Sequence, residues 1–386
     1  MRQARLAGLV LLALGGSGCA WFGGDDEPIE PPAELTEFEP TLDVKKVWQA
    51  EVGPGSELLR LDLRPAVEGG RVYAAGRGGR VVALDLADGR ELWGAETELA
   101  LSAGPAVGGG MVAVGSSDGV VAAYDAADGT PLWQVRVSGE VLATPAIADN
   151  LVMVRTVDGR LRALRGNDGE ELWRVEHKPP RLSLRGTGAP VVADRVVLIG
   201  FDNGRVGAYT LREGEVVWEN LVSTGRGRTE LERLADVDSD LKVLGQDVYA
   251  ASFNGRVANL ALESGQILWT SDMSSYNGIG VDWTTVYVAD AAGEVVAVNR
   301  SSGAQLWRQN ALRQRGTTAP TPFGQSVVVG DFEGYLHWMD ALTGALQARI
   351  RADDVAIITA PVGAGEYLVV QDEADGVFAF RVEPRG

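Results

Sequence analysis

The chain has 386 residues, a formal charge of −18, 45% hydrophobic residues, 50 glycines and one cysteine. The acidic balance argues against nucleic acid as a partner and against adhesion of the protein surface to an anionic bilayer. With a single cysteine, a zinc or redox site built from several thiolates cannot form.

In chain order, residues 1–18 read as an export leader. Arg2 and Arg5 make a positive start, residues 6–14 an apolar core, and Gly16-Ser17-Gly18 a small-residue cleavage zone. The core is too short to span a bilayer. Cys19 follows at once, and the arrangement resembles the lipobox of bacterial lipoproteins, in which the cysteine becomes the acylated first residue. Gly16 stands where leucine is usual there, and Ala20, rather than aspartate, resembles lipoproteins sent to the outer membrane. Residues 19–41 then form an acidic tether with Pro28, Pro31, Pro32 and Pro40. So little of it is apolar that an extended, solvated spacer is expected, with Gly23 to Thr41 reaching roughly 60 Å at about 3.1 Å per residue.

Residues 42–386 are organised by a repeat. Gly79-Arg80-Val81-Val82-Ala83-Leu84-Asp85, followed by Asp88-Gly89 and Trp93, returns with leading glycines at 119, 159, 204, 255, 293, 334 and 376. A period near forty is a signature of propellers and solenoids, and the period-two hydrophobic alternation inside each copy specifies strands. One period supplies four of them, at 103–107, 111–115, 120–125 and 132–137, separated by glycine turns such as Asp118-Gly119 and Asp128-Gly129. Eight leading glycines therefore predict an all-β, eight-bladed β-propeller of four-stranded antiparallel blades. The last copy runs out before a fourth strand, whereas residues 42–52 carry Trp48 in a fourth-strand context. The N-terminal strand is expected to complete the last blade and close the ring.

Trp93, Trp133, Trp173, Trp218, Trp269 and Trp307 share one outer-strand position, with Trp48 as the seventh member. A cofactor stack or a sugar platform is less economical than docking of each ring between its own blade and the next. Tryptophan spacings run 45, 40, 40, 45, 51 and 38 from Trp48 to Trp307. The two longest inside the repeated region are consecutive, and their extra residues fall between a fourth strand and the next first strand. Both insertions should therefore emerge on one face, as binding loops do.

No catalytic constellation stands out. His177 and His337 lie on distant blades, no glycine-rich phosphate loop opens a helix, and Asp353-Asp354 reads as solvated surface. No cofactor and no metal are expected. Trp283 lies outside the repeat pattern.

The repeat resembles the tryptophan-docking repeat of quinoprotein alcohol dehydrogenases, but those enzymes carry adjacent cysteines over the quinone, which this chain lacks. Lipobox, acidic tether, eight repeats and two inserted motifs together resemble the BamB family, the lipoprotein subunit of the outer-membrane β-barrel assembly machine. The motifs are Leu182-Ser183-Leu184-Arg185-Gly186 with Ala189-Pro190, and Thr229-Glu230-Leu231-Glu232-Arg233-Leu234-Ala235-Asp236-Val237-Asp238. Gly330-Asp331-Phe332-Glu333-Gly334-Tyr335-Leu336-His337-Trp338 is similar to that family as well. The resemblance implies a non-enzymatic scaffold, lipid-anchored at the periplasmic face of the outer membrane. It also implies that Leu182, Leu184, Arg185, Asp236 and Asp238 contact the periplasmic domains of the central barrel subunit, with other subunits and unfolded outer-membrane proteins as further partners. Leu182 and Leu184 flank Ser183, so in extended geometry they project to one side as an apolar pair. Two readings of Arg185 stand side by side: a forked donor to the partner, or an internal salt bridge to Asp236 or Asp238. The rival classes are a quinone-dependent oxidoreductase and a carbohydrate- or protein-binding propeller with an exposed aromatic cluster, for which Trp283 and Trp338 are the candidates.

Overall fold

A computed structural model of the chain describes residues 30–55, 59, 61–178, 180, 188–224, 236–237, 239–275 and 277–383. Contacts divide the chain into two units, Met1–Pro31 and Pro32–Gly386, and all the architecture below belongs to the second. It consists of eight four-stranded antiparallel sheets. The first strands of successive sheets touch in order around a closed circle, so they line the centre of an eight-bladed propeller. We number the blades from the one that begins at Ala66–Glu68. The second blade is representative: Leu101–Gly108, Met111–Ser116, Val120–Asp125 and Pro131–Arg136.

Six of the eight glycines that lead the repeats, at 79, 119, 159, 204, 293 and 334, have positive φ, and Gly79 shows the steric reason. Gly79 has φ +102°, and a Cβ on it would lie 2.3 Å from the Thr97 carbonyl oxygen. The chain leaving the outer strand crosses directly over this glycine, with Thr97 N–H donating to its carbonyl at 2.9 Å. Val137 and Gly119, and Ala352 and Gly334, make the same pair. Only a residue without a side chain accepts both the left-handed backbone and that approach.

The tryptophans link blade to blade. Trp48, Trp93, Trp133, Trp173, Trp218, Trp269 and Trp307 each donate Nε1–H to a carbonyl in the turn between the third and fourth strands of the next blade, at 2.6–3.1 Å. Each indole lies against the glycine of that turn, from Gly89 under Trp48 to Gly344 under Trp307. In the seventh blade Ala348 takes the tryptophan's place. The eighth blade offers no such turn, because its third and fourth strands are the two ends of the chain.

Those ends close the ring. Asp43–Glu51 pairs antiparallel with Gly376–Glu383, from Asp43 opposite Glu383 to Glu51 opposite Gly376, with a bulge at Val47 between Lys46 and Trp48. Leu42 and Val44 pack in the cluster that contains Ala348, and the amides of Thr41 and Leu42 donate to the Gln347 carbonyl.

The end of the tether departs from the expected solvated spacer. Ala33 N–H donates to the Arg313 carbonyl, Arg315 Nη1 donates to the Ala33 carbonyl, and Arg349 Nη2 donates to the Thr36 carbonyl. The Arg349 guanidinium also lies 5.2 Å from the Phe38 ring centre. Arg315, from the connection into the seventh blade, and Arg349, from its fourth strand, thus satisfy the carbonyls of an otherwise strandless segment, and Phe38 covers one guanidinium.

Candidate docking face

Every connection from a fourth strand to the next first strand leaves the ring on the same face. Two of the longest are residues 177–190 and 222–241, which flank the fourth blade. Their stems meet at the end of its second strand, Val196–Gly200.

The first stem begins at His177, whose amide donates to the Gly159 carbonyl. Its ring stacks on Phe201 with centroids 3.8 Å apart. His177 Nε2 lies 2.8 Å from the Tyr209 hydroxyl and 3.0 Å from Glu219, and that hydroxyl donates to Glu219 at 2.6 Å. Burial and the neighbouring Glu219 push the Tyr209 phenol above its ordinary range, so it stays a neutral donor. At the far end of this connection, Gly188 gives its carbonyl to buried Arg155, which also pairs with Asp202 on the fourth blade.

The second stem passes the same point. Val222 and Ser223 donate to the Gly204 carbonyl, and Val237 N–H donates to the Phe201 carbonyl at 3.2 Å. Val237 seats on Gly200, where a Cβ would come within 2.5 Å of the Val237 carbonyl oxygen. Phe201 therefore serves both connections, through its ring to His177 and through its backbone to Val237. The stems are joined again where Ala189 N–H donates to Asp240 Oδ1 at 2.9 Å. Burial pushes the Asp240 carboxyl up, but Arg64 and then Lys242 outweigh it and hold the group well below the usual carboxylate range.

Of the residues singled out in the sequence, Leu182, Leu184, Arg185, Asp238 and Cys19 lie outside the described residues. Asp236 is described, and its side chain is buried at 1% exposure while its carbonyl accepts from Phe253 N–H. It sits at the root of the second connection rather than at its tip. Neither Phe201 nor Asp240 belongs to a sequence motif. The repeat offered one signal for them: both lie beside the two points where the forty-residue spacing is broken.

The aromatic pair considered for a sugar platform is divided. Trp283 is 74% exposed on a turn of the sixth blade, whereas Trp338 is fully buried edge-on to Phe380. His337 is buried as well, 2.9 Å from Asp331. Among the described residues no group of three or more His, Cys, Asp or Glu side chains is placed to hold a metal ion.

A family model for outer membrane protein assembly factor BamB matches residues 33–100, 79–309 and 291–383. Outer membrane protein assembly factor BamB of Pseudomonas aeruginosa is 42% identical over 382 residues, covering 99% of this chain and 100% of that protein. The crystal structure of BamB from Moraxella catarrhalis superposes with a TM-score of 0.81 at 27% identity, covering 88% of this chain and all of that one. Quinohemoprotein alcohol dehydrogenase from Comamonas testosteroni shares the fold alone, with a TM-score of 0.68 at 14% identity over 89% of this chain and 77% of that one.

Proposed function

This chain belongs to the family of outer membrane protein assembly factor BamB, and from that membership we propose that it is a non-enzymatic scaffold. It docks the periplasmic domains of the central subunit of the barrel-assembly complex and helps deliver outer-membrane proteins to it. The observation that supports this reading is the convergence of the described stems of the two long connections on Phe201, through His177 and Val237. Leu182 and Leu184 supply apolar anchors and Arg185 a forked donor, with Asp238 as its acidic counterpart in the second loop. Asp236, buried at the loop root, contributes by fixing that loop. Acyl chains on Cys19 hold the protein at the periplasmic face of the outer membrane, supplying the membrane affinity that an acidic surface lacks.

The test is calorimetric binding of the soluble Cys19→Ser ring to the partner's purified periplasmic domains, with a thermal melt of every variant. Truncating an interface anchor costs roughly 2 kcal/mol or more in binding, whereas an exposed loop change alters stability by less than about 0.5 kcal/mol. Leu184→Ala and Arg185→Glu should therefore weaken docking and leave the melt in place. Unchanged affinity in both variants removes this face as the docking site. A Cys19→Ser protein that still fractionates with outer membranes stripped of partner proteins would contradict the lipid anchor.

A further inference from the structure

The connection between the eighth and first blades, residues 52–65, matches the first long connection in length. Its described end reaches into the middle of the ring. Asp62 forms a parallel bridge with Ala103, and its Oδ2 accepts from both the amide and the hydroxyl of Thr144, at 3.2 and 2.7 Å. Two residues on, Arg64 Nη2 lies 2.7 Å from Asp240 Oδ2 and 3.7 Å from Asp62 Oδ2. Asp240 also has Lys242 Nζ at 3.9 Å, and its other oxygen takes the Ala189 amide.

The positions of these residues in the circle matter more than the contacts one by one. Arg64 leads into the first blade and Asp240 into the fifth, and four steps separate those blades in either direction around eight. The ion pair therefore spans the centre of the propeller from opposite walls. It lies on the loop face, because both residues stand in connections between a fourth strand and a first strand. The three longest connections, 52–65, 177–190 and 222–241, each send one group to it: Arg64, the Ala189 amide and Asp240. Of the five shorter connections, 137–145 reaches only Asp62, through Thr144, and those at 97–100, 272–278, 310–320 and 352–361 send no group to the pair among the described residues.

We propose that the Arg64–Asp240 pair is a positioning device for docking, which registers the two long loops against each other from the centre of the ring and makes the 52–65 connection a third part of the same surface. This rests on the docking function proposed above. A charge-assisted contact with 20–28% side-chain exposure is rigid enough to hold its partners, and it joins segments that no sheet hydrogen bond connects. Without it, Asp240 and the Ala189 amide that it accepts are no longer tied to the 52–65 connection, so the ends of the two long loops shift together away from it.

The experiment measures affinity for the partner's purified periplasmic domains with the Cys19→Ser ring carrying Arg64→Gln, Asp240→Asn, Arg64→Lys or the exchange Arg64→Asp/Asp240→Arg. Coupled residues of this kind shift binding by about tenfold. Arg64→Gln and Asp240→Asn should each weaken docking by that factor, Arg64→Lys by less, and the exchange should recover most of the loss. Amide exchange over residues 188–190 and 236–241 should quicken in both single variants. A purely structural pair would lower the melting temperature without moving the affinity, and that result overturns the proposal. Should Arg64→Gln fail to fold, Asp240→Asn carries the test alone, because its Oδ1 still accepts the Ala189 amide. If Leu184→Ala weakens binding while Asp240→Asn does not, only the positioning role falls. If neither does, the docking face itself is wrong and the proposal falls with it.

Discussion

Gly129→Ala adds one methyl group at the point where two blades meet. Gly129 has φ +76°, and the new Cβ would lie 2.5 Å from Trp93 Cε3 and 2.8 Å from its Cδ2. Gly109, in another turn of the same blade, has φ +57° and open space where its Cβ would stand. A left-handed alanine costs about 1–2 kcal/mol at either position. At Gly129 the indole must also move, which adds about 1–3 kcal/mol for overpacking and about 1 kcal/mol if the Trp93 Nε1 bond to the Ala126 carbonyl is lost. Urea unfolding should therefore show Gly129→Ala losing about 1–4 kcal/mol more than Gly109→Ala. In a Trp93→Ala background, itself weakened by about 3–5 kcal/mol, the difference should vanish, because the collision partner is gone. Equal losses in the parent, or a difference that survives Trp93→Ala, would refute the view that the tryptophan rows lock adjacent blades.

Deleting residues 42–52 removes the outer strand of the eighth blade together with Trp48, and the melting temperature should fall steeply. Deleting residues 23–31 should leave it unchanged, and equal melts for the two truncations would contradict the closure. Arg349→Ala removes the hydrogen bond to the Thr36 carbonyl and the cover over Phe38, so limited proteolysis within residues 33–41 should accelerate. An unchanged cleavage rate would mean that the segment is held elsewhere. Burial, against hydrogen bonds from the Gly376 and Ala374 amides, pushes Asp372 up to about 6. Because this folded value lies above the unfolded 3.8, the group's contribution is present below about pH 4 and lost as pH rises through 6. Asp372→Asn should accordingly raise stability at pH 7.5 by up to about 3 kcal/mol and change little at pH 4, and a gain independent of pH would contradict this.

The repeat was legible because a propeller blade is a local object. Strand pairing inside a blade joins neighbours in sequence, so alternation at 120–125 and the turn at Asp128-Gly129 predict Val120–Asp125 and its outer partner with little help from the rest of the chain. Ring closure was legible for a related reason: an outer strand missing at one end and present at the other leaves one way to satisfy both edges. Loop lengths were legible as broken spacing, although the 45-residue interval from Trp48 to Trp93 carried the same signal as the interval from Trp173 to Trp218. It marked a third connection that only the structure drew into the loop face.

What residues 42–386 determine by themselves is the blade: its strands, its turns, the row of equivalent tryptophans and the number of copies. The contacts between blades were settled by the closed ring. Nothing in the spacing of Arg64 and Asp240 places them 2.7 Å apart, because that distance exists only once eight blades have closed and the first faces the fifth. Residues 33–41 read as a polar spacer because their own composition offers no core, yet Arg313, Arg315 and Arg349 hold that segment with groups some three hundred residues away. Phe201 reads as one more core aromatic, but its ring and carbonyl organise two loops because neighbouring blades bring both stems to the same strand end. Periodicity encodes contacts that recur at fixed separation. Contacts made once, across the ring or against its edge, leave no period and appear only when the chain has closed on itself.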